Sequence, residues 1–121
     1  MPVDTLDDEG DAVSADAPLG TFEEQVLLAV LRKGNEAYAS SVRRELEKVT
    51  ARSIAIGSVY VTLDRLEAKG LIASSRALSD ESISRRLFVV TPDGARSLAT
   101  TRAMRDRLWE GVELRRLLKN A

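Results

Sequence analysis

The stretch Gly57-Ser58-Val59-Tyr60-Val61-Thr62-Leu63-Asp64-Arg65-Leu66-Glu67-Ala68-Lys69-Gly70, followed by Leu71-Ile72, constrains the fold of this chain more than any other. Val59, Leu63 and Leu66 recur at i, i+4 and i+7, so one face of a helix is apolar and turns inward. The free face carries Ser58, Tyr60, Thr62, Arg65 and Lys69, hydroxyls and cations opposed only by Asp64 and Glu67. Gly70 supplies a left-handed cap, and Leu71-Ile72 begins a strand. A short helix with such a face, turned straight into a strand, is how a winged helix presents its recognition element. The pattern points to DNA binding.

Composition sets the limits. At 121 residues and 44% apolar content the chain is one globular domain with a modest core. It has no cysteine and no histidine, which removes thiol nucleophiles, disulfides, Cys/His zinc sites and imidazole acid–base chemistry. No Ser-His or Cys-His arrangement and no glycine-rich phosphate loop exists, so neither an enzyme nor a cofactor or metal site is expected. The acidic start lacks a basic n-region, and the longest apolar run, Val26 to Leu31, falls far short of the roughly 20 residues of a membrane span. A cytoplasmic protein is the expectation.

The formal net charge of -1 hides an uneven distribution. Residues 1–18 hold Asp4, Asp7, Asp8, Glu9, Asp11 and Asp16 and no base; the remainder holds 18 basic against 13 acidic residues, a net of +5. The acidic tail reads as disordered, and the basic body permits contact with phosphates.

Order is expected from Thr21, where Thr21-x-x-Glu24 has capping-box spacing, with Phe22, Val26, Leu27, Val30 and Leu31 as the buried stripe behind it. A second helix runs from about Ala39 to Thr50, with Val42, Leu46 and Val49 inward and Arg43, Arg44, Glu47 and Lys48 outward. Ser53-Ile54-Ala55-Ile56 is a short strand or an extended link. Beyond Gly70, Leu71 to Arg76 and Arg86 to Val90 form a two-stranded hairpin whose tip, with Asp80 and Glu81, is the wing. Thr91-Pro92-Asp93 gives an N-cap, a proline at the first helical position and an acid in the first turn.

The helix opened there can continue to about Leu118, some 27 residues or roughly 40 Å. Leu98, Met104, Leu108, Trp109, Val112, Leu114, Leu117 and Leu118 surround more than one of its faces. Soluble monomers rarely expose so much apolar surface, which implies a homodimer packed through this helix. A two-fold pair also sets two recognition helices about one DNA turn apart. Gly111, inside that helix, would mark a close helix–helix approach.

These residues resemble the PadR family of transcriptional regulators over roughly Leu19 to Leu118. The likeness is strongest at Gly57 to Ile72, and extends to Leu19–Leu31, to Glu36-Ala37-Tyr38-Ala39 with Val42 and Leu46, and to Thr91-Pro92-Asp93-Gly94. The resemblance implies a homodimeric repressor with a winged helix-turn-helix over residues 19–91 and a C-terminal dimerisation helix over 92–121, released from DNA by an effector or a stress signal. This chain departs from the family at the wing, where Arg85-Arg86 leads into Leu87-Phe88 instead of paired tyrosines.

The expected DNA contacts are Ser53, Ser58, Tyr60, Thr62, Arg65, Lys69, Arg76, Arg85 and Arg86. Each hydroxyl can bond a phosphate or a base edge, or merely face solvent; Arg65 and Lys69 suit phosphates, or pairing with Asp64 or Glu67. Arg76, Arg85 and Arg86 either reach DNA or pair with Asp80 and Glu81. Trp109 is either interface packing or a stacking surface for a planar small-molecule effector. A different class stays open: a winged-helix protein-interaction module without DNA affinity.

Overall fold

The computed structural model describes residues 17–78 and 84–119. The acidic tail, except for its last two residues, and the wing-tip acids Asp80 and Glu81 lie outside the described residues. The chain is mostly helical with one antiparallel hairpin, in the order α1 (Thr21–Lys33), α2 (Ala39–Thr50), α3 (Ile56–Ala68), β1 (Ile72–Leu78), β2 (Ser84–Val90), α4 (Pro92–Trp109) and α5 (Arg115–Lys119). It is a winged helix-turn-helix followed by a long C-terminal helix.

The start of α1 falls one residue earlier than the expected capping box. Gly20 is the cap, and the carboxylate that folds back onto its N–H is Glu23, at 3.2 Å. Glu24 is therefore released to be buried, and it pairs with Arg105 on α4. Of the predicted α1 stripe, Val26, Leu27 and Val30 are buried and Phe22 packs at the core's edge. Leu31 and the α2 residue Val49 are more than half exposed and border, with Leu28, a shallow groove of about 440 Å³ between α1 and α2. Both turn their side chains to this groove and away from the core. Ser53 to Ala55 is an extended link, not a strand, and the N–H of Ile54 is held by Glu47 at 2.8 Å.

The core joins α1, α2 and α3 to the hairpin through Val26, Leu27, Val42, Val59, Leu63, Leu66, Leu71, Ile72 and Phe88. At the end of α3, the N–H of Gly70 bonds Glu67 O (2.9 Å) and that of Leu71 bonds Leu66 O (3.0 Å), with Gly70 at φ 79°. This is a Schellman cap; the buried pair Leu66 and Leu71 closes it. The register pairs Ile72 with Val90, Ser74 with Phe88 and Arg76 with Arg86. The N–H of Phe88 also donates to Ala37 O (2.8 Å), so β2 is fastened on both edges.

Thr91 caps α4, its hydroxyl accepting from Gly94 N at 3.0 Å and donating to Gly70 O at 2.8 Å. Gly94 is buried where α4 crosses the base of the hairpin: a Cβ there would collide with Leu71 O and lie 2.8 Å from Val90 Cγ1. The buried residues of α4, Gly94, Ser97 and Thr101, are small, and Leu98 packs beside them against the core. Thr101 Oγ1 accepts from Leu19 N (2.9 Å) and donates to Ser97 O (2.7 Å).

The expected unbroken helix to Leu118 does not form. α4 ends at Trp109, and Glu110 (φ −57°, ψ 128°) followed by Gly111 (φ 76°) makes a turn closed by Val112 N to Trp109 O at 2.9 Å. Those angles are those of a type II turn, whose third position demands the left-handed region. Gly111 thus breaks the helix, and no atom lies within 4 Å of where its Cβ would be.

Candidate nucleic-acid interface

Helix α3 turns Val59, Leu63 and Leu66 fully inward, which fixes what its other side presents. Ser58, Tyr60, Val61, Asp64 and Arg65 are exposed there, and Ser53 is exposed on the link leading in. Thr62 is a correction: it is only 5% exposed. It stands three residues after Val59 and four before Leu66, so the same helical period that buries them buries it. Val61, 56% exposed near the middle of the free face, was not among the expected contacts. Its signal was its offset from the apolar stripe: a branched aliphatic side chain there is suited to a thymine methyl group.

Lys69 is tied elsewhere than expected. Its Nζ meets Glu23 Oε2 at 2.7 Å, joining the end of α3 to the first turn of α1 across 46 residues. Partial burial alone would raise the Glu23 pKa, but the Lys69 hydrogen bond, the Gly20 amide and the charges of Lys69 and Arg65 outweigh it and hold it below the ordinary 4.5. A similar pair, Arg32 with Glu45 at 2.6 Å, staples α1 to α2; the hydrogen bond from Arg32 is the main reason the Glu45 pKa is also lowered.

The three wing arginines take different positions. Arg76, Arg85 and Arg86 line a cleft of about 300 Å³ with Tyr38, Ala39, Ser40, Tyr60 and Phe88. Arg85 is stacked over the Tyr38 ring, its guanidinium carbon 4.4 Å from the centroid, which holds an exposed cation in one place. Tyr38 is a second residue that the contact list lacked, because a stacking partner 47 positions away leaves no local signal. Arg86 reaches back to α3, bonding Glu67 Oε1 at 2.5 Å and Asp64 Oδ1 at 3.3 Å.

The exposed side of α3 therefore has two flanks: Ser58 borders Thr21, Phe22 and Ser53 and Arg65 lies near Glu23 of α1, while Tyr60 shares the cleft with Arg76 and Arg85 of the hairpin. Hydroxyls and guanidinium groups can donate to phosphate oxygens or to base edges, and the curved face of a single helix fits a major groove. Among the described residues, no group of three metal-ligating side chains occurs, and no helix is long and apolar enough to cross a membrane.

The family model described as the transcriptional regulator PadR-like family matches residues 27–100. Among solved structures, the hsRosR–S4 complex, of H. salinarum RosR, is 23% identical over 91% of this chain and 90% of its own, with a TM-score of 0.64. A PadR-like transcription factor from B. fragilis is 22% identical over 88% and 94%, with a TM-score of 0.64. A PadR family transcriptional regulator from Eggerthella lenta is 23% identical over 98% and 100%, with a TM-score of 0.58. At such identities each likeness speaks for the fold. No curated protein sequence matches the chain significantly.

Proposed function

Because the chain belongs to the PadR-like family of transcriptional regulators, we propose that it is a cytoplasmic repressor that binds an inverted-repeat operator as a homodimer. The observation that carries this reading is the open outer face of α3, where Ser58 and Arg65 are exposed along one flank and Tyr60 along the other, in the cleft with Arg85. In the proposed complex α3 enters the major groove, Ser53 and Arg65 hold phosphates, and Ser58 and Tyr60 bond phosphate or base edges. Occupying the promoter excludes polymerase.

Pairing of two chains falls to the C-terminal segment. Leu108, Trp109, Val112, Leu117 and Leu118 are exposed, whereas Met104 is half-buried and Leu98 packs on its own core, so Leu98 leaves the proposed interface. A signal that shifts these segments would change the separation of the two reading faces; a planar effector on Trp109 is one such signal.

The test is a titration of the full chain against duplex from upstream of its own coding region at several salt concentrations. Log K is expected to fall by about 0.9 per unit of log salt for each phosphate neutralised. Arg65→Ala should remove roughly one such increment and weaken binding about equally on all sequences. Absence of salt-dependent binding would overturn the reading in favour of a protein-interaction module, which the tying of Lys69 and Arg86 to carboxylates would then explain.

A further inference from the structure

We propose that Arg86, for all its place among the wing cations, is a positioning residue that locks the wing to the recognition helix and touches no phosphate. Its guanidinium sits between two successive turns of α3, on Glu67 at 2.5 Å and on Asp64 at 3.3 Å. It also lies 4.9 Å from the centroid of the Phe88 ring, whose residue anchors β2 in the core. Glu67 is shared: its second oxygen accepts from Ser74 Oγ on β1 at 2.7 Å. Helix and both strands thus meet at one carboxylate. Only the planar fork of an arginine reaches two carboxylates in this way.

The clamp answers two electrostatic problems at once. Arg76 and Arg86 are directly opposed in the hairpin, a like-charge pairing that weakens a ladder unless a counter-charge is near. Asp64 and Glu67 are carboxylates on the helix that faces DNA, where they would repel phosphates. The Asp64 and Glu67 carboxylates supply the counter-charge to Arg86 while Arg86 neutralises them in turn, and the contact ties the α3 face to the wing. Both terminal nitrogens of Arg86 are engaged with carboxylates.

The inference rests on the DNA-binding reading above, and the experiment separates the two. Arg86→Gln, Glu67→Gln and Arg86→Lys are compared with the parent chain by salt-dependent titration on the same upstream duplex and by amide hydrogen exchange of β1 and β2. Arg86→Gln is expected to weaken binding about tenfold with the salt slope unchanged, a coupling of ordinary size for one shared ion network. Glu67→Gln should also weaken binding, although it deletes a negative charge from the DNA side, and Arg86→Lys should restore part of the affinity. Exchange in β1 and β2 should quicken in Arg86→Gln and Glu67→Gln. A slope shallower by about 0.9 in Arg86→Gln would make Arg86 a phosphate ligand and overturn the proposal. Tighter binding by Glu67→Gln would overturn it too. If the parent chain binds no DNA, the regulator reading falls by itself, and unchanged strand exchange in the variants then overturns the clamp.

Discussion

Val59, Leu63, Leu66 and Phe88 in the winged-helix body are at most 2% exposed, while Leu108, Trp109 and Leu117 at the C-terminal end are 56–72% exposed. The side chains are of the same kind; their surroundings differ. The body closes on itself, because α1, α2, α3 and the hairpin each offer an apolar face to the others and ion pairs staple the seams. The described residues from Leu108 onward have no such neighbour, and the part of α4 that turns inward offers the small Gly94, Ser97 and Thr101 with Leu98 beside them. Stability belongs to the first region, and the proposed pairing of two chains to the second.

The sharpest way to break that division is to truncate one side chain in each region. Phe88→Ala should cost about 3–5 kcal/mol and Leu63→Ala about 2–5, whereas Leu117→Ala should stay within about 0.5. Urea unfolding at concentrations where the chain sediments as a monomer measures all three; similar losses would erase the contrast. Gly94→Ala probes the junction between the regions and should cost about 1–3 kcal/mol in the same assay, since Leu71 and Val90 must yield. Replacing Leu108 and Trp109 together by alanine should weaken self-association by about tenfold or more, read by sedimentation, with the unfolding midpoint of the monomer unmoved.

The smallest effect is acid sensitivity of the body. Glu23 titrates below its ordinary value, so its pairing with Lys69 stabilises the fold in full above about pH 4.5 and is lost as pH falls from there through the lowered value. Lys69→Met should remove up to about 1 kcal/mol at neutral pH and flatten that part of the stability–pH curve. A curve with the same acid limb in both proteins would show that the pair contributes nothing.

What the sequence discloses follows from the range of the interaction. The α3 stripe, the Gly70 cap, the hairpin and the Thr91-Pro92 start of α4 are written in neighbours a few residues apart, and all four stand in the structure. Thr62 was equally local; its position on the buried period was there to be read. Gly111 carried a local signal as well, a glycine just past Leu108-Trp109, but the apolar residues beyond it imitate a continuing helix. The partners of Lys69, Arg85 and Arg86 lie 46, 47 and 19 residues away. Such pairings depend on how elements pack, and no periodicity encodes them. The cap of α1 shifted by one residue for the same reason: Glu24 is claimed by Arg105, 81 positions on.

Glu23 and Glu24 are consecutive, yet one is tethered to the exit of α3 and the other to Arg105, about one turn before the end of α4. The opening turn of α1 is therefore a junction from which one ion pair runs to each of two other helices. Removing either carboxylate would untie one helix from the entry of α1 and leave the other held.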